Sequence, residues 1–91
     1  MLTIHKFQIG PHITATGVVE LPQEFRVLSV QVQRGVPCMW VLLDDAAPRL
    51  PTGIAIRSTG HDCTGLLNWA PAGTFQLDDG ALVFHVFVRV H

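Results

Sequence analysis

The sequence predicts an all-β domain: a small antiparallel sandwich or barrel of about seven strands, with little or no helix. Three observations predict it. Apolar and polar residues alternate over several runs, as in "RVLSVQVQ", and period two is the signature of a strand with one wet face. Glycine- and aspartate-bearing turn signals separate the runs at roughly 8–12-residue spacing, the rhythm of small β domains. Pro22, Pro37, Pro48, Pro51 and Pro71 fall at run ends or in loops, where a missing backbone donor does least harm to a ladder.

Residues 2–9 form the first run, and Gly10-Pro11 is a turn signal that would close a hairpin with residues 13–20. "LPQEFRVL" has room for one helical turn at most. Residues 26–33 place Leu28, Val30 and Val32 on one face and Ser29, Gln31 and Gln33 on the other. Arg34-Gly35 suits a short hairpin into residues 38–44, because glycine tolerates positive φ; Trp40 in that strand is read as core. "DDAAPRLPTG" reads as a proline-broken loop leading to residues 53–58. "TGLLNWA" could hold another helical turn, with Trp69 packed over a core edge. Residues 74–77 follow. Asp78-Asp79-Gly80 then suits a type I turn with a left-handed glycine, a bulged hairpin into residues 81–90. In that last strand Leu82, Phe84, Val86, Val88 and Val90 share a face, and Val83, His85, Phe87 and Arg89 share the other. Both faces are partly apolar, which predicts a central strand or a subunit contact.

The 91 residues suit a single domain spanning the whole chain. A domain of this size buries only about 60% of its unfolded surface, yet 48% of its residues are hydrophobic and 14% charged. The excess predicts apolar surface buried against another subunit, most simply in a homodimer with residues 81–90 near the contact. A net charge of −1 argues against general nucleic-acid binding, although local phosphate contacts by Arg34, Arg49 or Arg57 stay open. No run approaches the roughly 20 apolar residues of a membrane-spanning helix, so no membrane partner is expected. His5, Lys6 and Gln8 interrupt the first ten residues, which do not read as a secretory segment. An intracellular protein with two free cysteines, Cys38 and Cys63, is therefore expected.

The densest polar stretch is "STGHDCTG", residues 58–65. His61, Asp62 and Cys63 are residue types that could build a cysteine nucleophile, but a triad is defined by geometry and draws its members from separate segments. The stretch reads instead as a loop in which glycines turn the chain and Asp62 or Thr59 caps backbone donors. Cys38, Cys63, His61 and His85 offer four zinc-binding atoms, but their spacing matches no zinc motif, so neither metal nor cofactor is expected. His85 reads as a hydrogen-bonded structural histidine. Asp44-Asp45 and Asp78-Asp79 read as strand ends or turns, since neighbours on a strand point to opposite faces. No catalytic residue is assigned. Trp69, His61, Arg34 and Arg57 are the candidates for binding.

The runs "VLSVQVQRGVPCMWVLLD", "TGH" and "GTFQLDDGALVFHVF" together resemble an uncharacterised family of small proteins encoded by phages and prophages, over roughly residues 27–87. The resemblance implies a phage origin and action in the host bacterial cytoplasm; it carries no catalytic or binding residues. The expected function is that of a non-enzymatic accessory protein that binds a host protein and interferes with host machinery or defence. One alternative is an oligomer that sequesters a small, nucleotide-like ligand in a pocket lined by arginines or histidines. Another is a small enzyme in which His61, Cys63 or His85 converge in a cleft.

Unbridged cysteines have a direct test. Protein denatured without reductant should titrate two thiols; none, with a monomer mass lower by two hydrogens, would contradict the expectation.

Overall fold

Alternation in the sequence becomes seven strands in the computed structural model, which describes residues 1–10 and 15–90. They are β1 (Leu2–Gln8), β2 (Thr16–Leu21), β3 (Phe25–Gln33), β4 (Val36–Asp44), β5 (Leu50–Ser58), β6 (Ala70–Leu77) and β7 (Leu82–Val88), with one 3-10 turn at Asp78–Gly80. A three-stranded sheet has the order β1-β4-β3 and a four-stranded sheet the order β2-β5-β7-β6, every pair antiparallel. The two pack face to face around Ile9, Val30, Met39, Val41 and Leu43 from one side and Leu21, Ile54, Ile56, Phe75, Val86 and Val88 from the other. The all-β sandwich is the fold the alternation predicts.

The long sides of the sandwich close differently. On one side β3 and β6 approach so tightly that a Cβ at Gly73 would stand 2.9 Å from Val30 Cβ. On the other, Arg49 spans the gap between β1 and β2. It donates to the Glu20 carbonyl (3.2 Å) and lies 3.3 Å from His5 Nδ1.

Several expectations are corrected. Gly10 does not turn the chain into a hairpin: β1 pairs with β4 and β2 with β5, so the connection carries the chain from one sheet to the other. Pro11 and residues 12–14, including the expected start of the second strand at Ile13, lie outside the described residues. Leu28 does not join Val30 and Val32 in the core. A β-bulge between Val27 and Ser29 reverses the alternation there, so Phe25 and Val27 pack inward and Leu28 is 47% exposed. The proline-broken loop ends sooner than expected, because Leu50 to Gly53 pair with β2. Pro51 is tolerated because its backbone points to the same side as Gly53, whose carbonyl accepts from Arg89 N. β7 ends at Val88, so among the described residues no ladder bond is lost at Pro51. In the β6–β7 turn Asp78, Asp79 and Gly80 all have positive φ, whereas a type I turn needs only the glycine there. Arg34 and Gly35, both at positive φ, make the two-residue hairpin expected.

Trp40 is the largest correction. Its neighbours Met39 and Val41 are fully buried, so strand alternation turns Trp40 onto the outer face of the three-stranded sheet, where it is half-buried. β7 is a central strand, hydrogen-bonded on both sides. Val88 is core at 1% exposure, and edge pairing of β7 with a second subunit is closed off.

A crossover carries the candidate functional site

β5 and β6 both run antiparallel to β7, which lies between them. They are therefore parallel to one another, and parallel strands cannot be joined by a tight hairpin. The chain leaves β5 beside Phe84 and enters β6 beside Val88, so residues 59–69 must travel the length of β7. The inner face is filled with core, and the crossover takes the outer one.

The "STGHDCTG" stretch is the first half of this crossover. Gly60 and Gly65 adopt φ of 86° and 88°, the left-handed region that L side chains enter at a cost of about 1–2 kcal/mol. Short turns follow one another: His61 N donates to Ser58 O, Leu66 N to Cys63 O and Trp69 N to Leu66 O, each at 3.0–3.1 Å. Asp62 Oδ1 accepts from Thr64 N (2.9 Å) and Thr64 Oγ1 (2.6 Å). Those two donors, with the Arg57 guanidinium nearby, hold the Asp62 carboxyl below the ordinary aspartate range. Asp62 thus caps its own loop, as read from the sequence. Thr59 does not: its hydroxyl meets His85.

Two clamps hold the crossover to the sheet. Arg57, on the outer face of β5, donates from Nε to Asp62 O (3.1 Å), from one terminal nitrogen to Ile56 O (3.1 Å) and Ala15 O, and from the other to Thr16 Oγ1 (3.2 Å). It binds loop, β5 and the start of β2 into one unit. His85 takes Thr59 Oγ1 at Nε2 (2.7 Å) and Thr74 Oγ1 at Nδ1 (3.3 Å). A hydroxyl can donate to the bare ring nitrogen and accept from the protonated one, so both are satisfied. His85 is the hydrogen-bonded structural histidine expected.

At the far end Trp69 lies over Gly53. A Cβ there would stand 2.9 Å from Trp69 Cη2 and 3.3 Å from Arg89 Cβ, so only glycine leaves the indole its seat. Between these clamps and Trp69, Leu66 is 6% exposed and outward-facing Ala55 is fully buried, the sign that the crossover covers the sheet. Trp69 itself is half-buried and divides the surface. On one flank Cys63, Leu66, Leu67, Pro71 and Phe87 line an apolar cleft of about 350 Å³. On the other, a groove of about 610 Å³ runs past Thr16, Val18, Pro51 and Arg89. Neither the Trp69 indole N–H nor the Arg89 guanidinium has a hydrogen-bond partner among the described residues. Leu67, at the apex, is 96% exposed.

The four binding candidates therefore part company. Trp69, His61 and Arg57 belong to the crossover and its seat, whereas Arg34 stands at the β3–β4 hairpin of the other sheet. Arg57 has four acceptors already, and the exposed His61 side chain has none among the described residues. Cys63 Sγ donates to the His61 carbonyl (3.5 Å) and Asp62 faces Thr64, so no thiol–imidazole–carboxylate relay forms. Cys38 is buried in the other sheet, far from the other three atoms of the four-residue zinc set. Among the described residues no three His, Cys, Asp or Glu side chains stand close enough to share a metal ion. Sequence reasoning missed Leu67 and Arg89. Nothing in "TGLLNWA" tells exposed Leu67 from buried Leu66, and Arg89 gains meaning only from its place beside Gly53.

Fold and site define a seven-stranded sandwich with one face roofed by its own crossover and an aromatic ridge between two depressions. The chain belongs to the family described as a domain of unknown function, DUF7352, which matches residues 1–91. No curated protein and no solved structure matches it.

The Trp69 seat is testable. Gly53→Ala should unseat the indole, lower stability by about 1–3 kcal/mol as overpacking does, and red-shift tryptophan emission. Wild-type denaturation and emission would show that Trp69 does not rest there.

Proposed function

We propose that the chain is a non-enzymatic binding module of phage or prophage origin that docks onto a protein of the host bacterial cytoplasm through its crossover face, and so interferes with host machinery or defence. Leu67 carries the reading. A leucine 96% exposed gains nothing from folding. The turns on either side of it are hydrogen-bonded, and Leu66 and Trp69 anchor its neighbours. A rigid apolar knob beside an apolar cleft and a half-buried tryptophan is the arrangement of an interface hot spot, because little conformational freedom is lost on docking. The phage setting is supported by the sequence resemblance alone.

The groove on the other flank of Trp69 favours a second reading, the sequestering of a small planar anion. Trp69 and Arg89, whose indole N–H and guanidinium have no hydrogen-bond partners among the described residues, both line this groove. A ring could stack on the indole while its acidic group meets Arg89.

Affinity capture from bacterial lysate, compared between wild type and Leu67→Asp, tests the first reading. A host protein held by wild type should be lost from Leu67→Asp and kept by Arg34→Ala, on the far hairpin. Equal capture by all three, or none by wild type, would contradict it. Small molecules that co-purify with wild type but not with Arg89→Ala would favour the second reading.

A further inference from the structure

The edge strands of the two sheets are finished differently. β3 and β6 close on one another, where Gly73 meets Val30. β1 carries Lys6 near its centre, a charge of the kind that keeps a further strand away. β2 has neither lysine nor proline nor bulge. Ala15 O accepts from Ile56 N, so by the register of the pair the odd residues of β2 bond to β5. The even ones, Thr16, Val18 and Glu20, turn their N–H and C=O groups to the free edge. Of these groups only the Glu20 carbonyl has a partner among the described residues, the Arg49 guanidinium. Thr16 and Val18 also line the groove beside Trp69. Val18 is 59% exposed and is the direct register partner of Gly53. A row therefore runs inward from the edge: Val18, then bare Gly53, then the indole of Trp69 above it.

We infer that β2 takes up an extended segment of the partner protein as a further antiparallel strand, with a large apolar side chain laid over Val18 toward Trp69 and an acidic one turned inward to Arg49. The inference deepens the docking role proposed above and rests on it for the class of partner. Three features define the occupant. Unpaired N–H and C=O groups repeating at strand spacing are matched by the backbone of another strand. Antiparallel pairing is the more stable kind, and it lets one incoming residue meet both groups of Val18. The side chain of that residue stands on the same face as Val18, and the groove beside Trp69 has room for it. The incoming residue before it points to the opposite face, into the margin between β1 and β2. There Arg49 meets only the Glu20 carbonyl and an imidazole nitrogen of His5. Among the described residues it has no ion pair with a carboxylate. An acidic side chain on the incoming strand supplies that charge.

A second copy of β2 fits these features less well. Two such strands paired about Val18 would bring a valine to the groove and Gly17 to Arg49, leaving the groove unfilled and the guanidinium without a carboxylate. Arg49 does not block the edge. It takes one lone pair of the Glu20 carbonyl, and a carbonyl oxygen has two.

The test is an NMR titration of the isotope-labelled full chain with the peptide acetyl-Thr-Glu-Phe-Thr-Val-amide, whose phenylalanine would lie opposite Val18 and whose glutamate would face Arg49. Without peptide, the amides of Thr16, Val18 and Glu20 should exchange with solvent faster than those of Gly17 and Val19. Peptide at up to about millimolar concentration should shift the three edge amides downfield and saturably, together with the Trp69 indole proton. Methylating the phenylalanine nitrogen of the peptide, or exchanging its glutamate for lysine, should raise the dissociation constant at least about tenfold. Val18→Pro removes an N–H that β5 does not use and should weaken binding as much, with circular dichroism unchanged. Arg34→Ala, on the far hairpin, should bind as wild type does. Equal binding by the N-methylated peptide would mean contact through side chains alone and overturns the inference. Edge amides that stay unshifted overturn it too, and so do edge amides already protected in a dimer of the free protein. The peptide variants are read on the wild-type chain, so the test stands whether or not Val18→Pro folds. Binding needs no host protein, so failure here is separable from failure of the capture experiment.

Discussion

The parallel course of β5 and β6 on either side of β7 is the constraint on which the rest of this structure depends. Antiparallel neighbours can be joined by a turn of a few residues, as β3 and β4 are at Arg34-Gly35. Parallel strands separated by a third cannot, and the connection must cross the sheet. Because the core fills the inner side, residues 59–69 become a roof over the outer side. The placement of every residue in the candidate site follows. Arg57 and His85 face outward and tie the roof down, Gly53 is bare so that the roof can end on an indole, and Leu67 projects because the apex has nothing above it. A long polar loop next to a sheet usually reads as a flexible connector. Here hydrogen bonds to Arg57 and His85 fix its start, the Trp69 indole on Gly53 seats its end and a buried leucine holds its middle, so it acts as a third layer.

Close contacts made possible by small residues recur in the packing. Gly73 lets β6 meet Val30 and closes one side of the sandwich. Gly10 lies against the Pro37 ring at the end of β1, where a Cβ would be 3.1 Å away. Gly53 receives Trp69. With a core of about a dozen buried apolar side chains, a domain this small has little reserve, and each of these contacts excludes water from an otherwise open margin. Arg49 does the same for the opposite margin with polar atoms, because Glu20 lies on an edge strand whose carbonyl has no ladder partner on that side.

Much of the fold was legible in the sequence because strand periodicity and turn chemistry are local. The inward set Phe84, Val86 and Val88, the Arg34-Gly35 hairpin and the self-capping of Asp62 could all be read from neighbours in the chain. What failed was non-local. Leu28 was misplaced because one bulged residue reverses the alternation, and nothing in "RVLSV" announces it. Trp40 was read as core because it is large and apolar, although its parity with Met39 and Val41 already allowed only one of the two sets to face inward. Gly10 looked like a hairpin turn because a change of sheet and a hairpin use the same residues. The site was legible in part: Trp69, His61 and Arg57 stood out, but the pairing of Trp69 with Gly53, and the exposure of Leu67, depend on a strand order that the sequence does not disclose.

The most direct test of this account is whether Trp69 rests on Gly53 in solution. Proton NMR of the wild-type protein should show nuclear Overhauser contacts between the outer indole ring protons of Trp69 and the Gly53 Hα protons, with those Hα signals shifted upfield by the ring current. Gly53 Hα signals at random-coil positions without such contacts, in a protein whose sheets are otherwise formed, would mean that residues 59–69 are not pinned across the sheet.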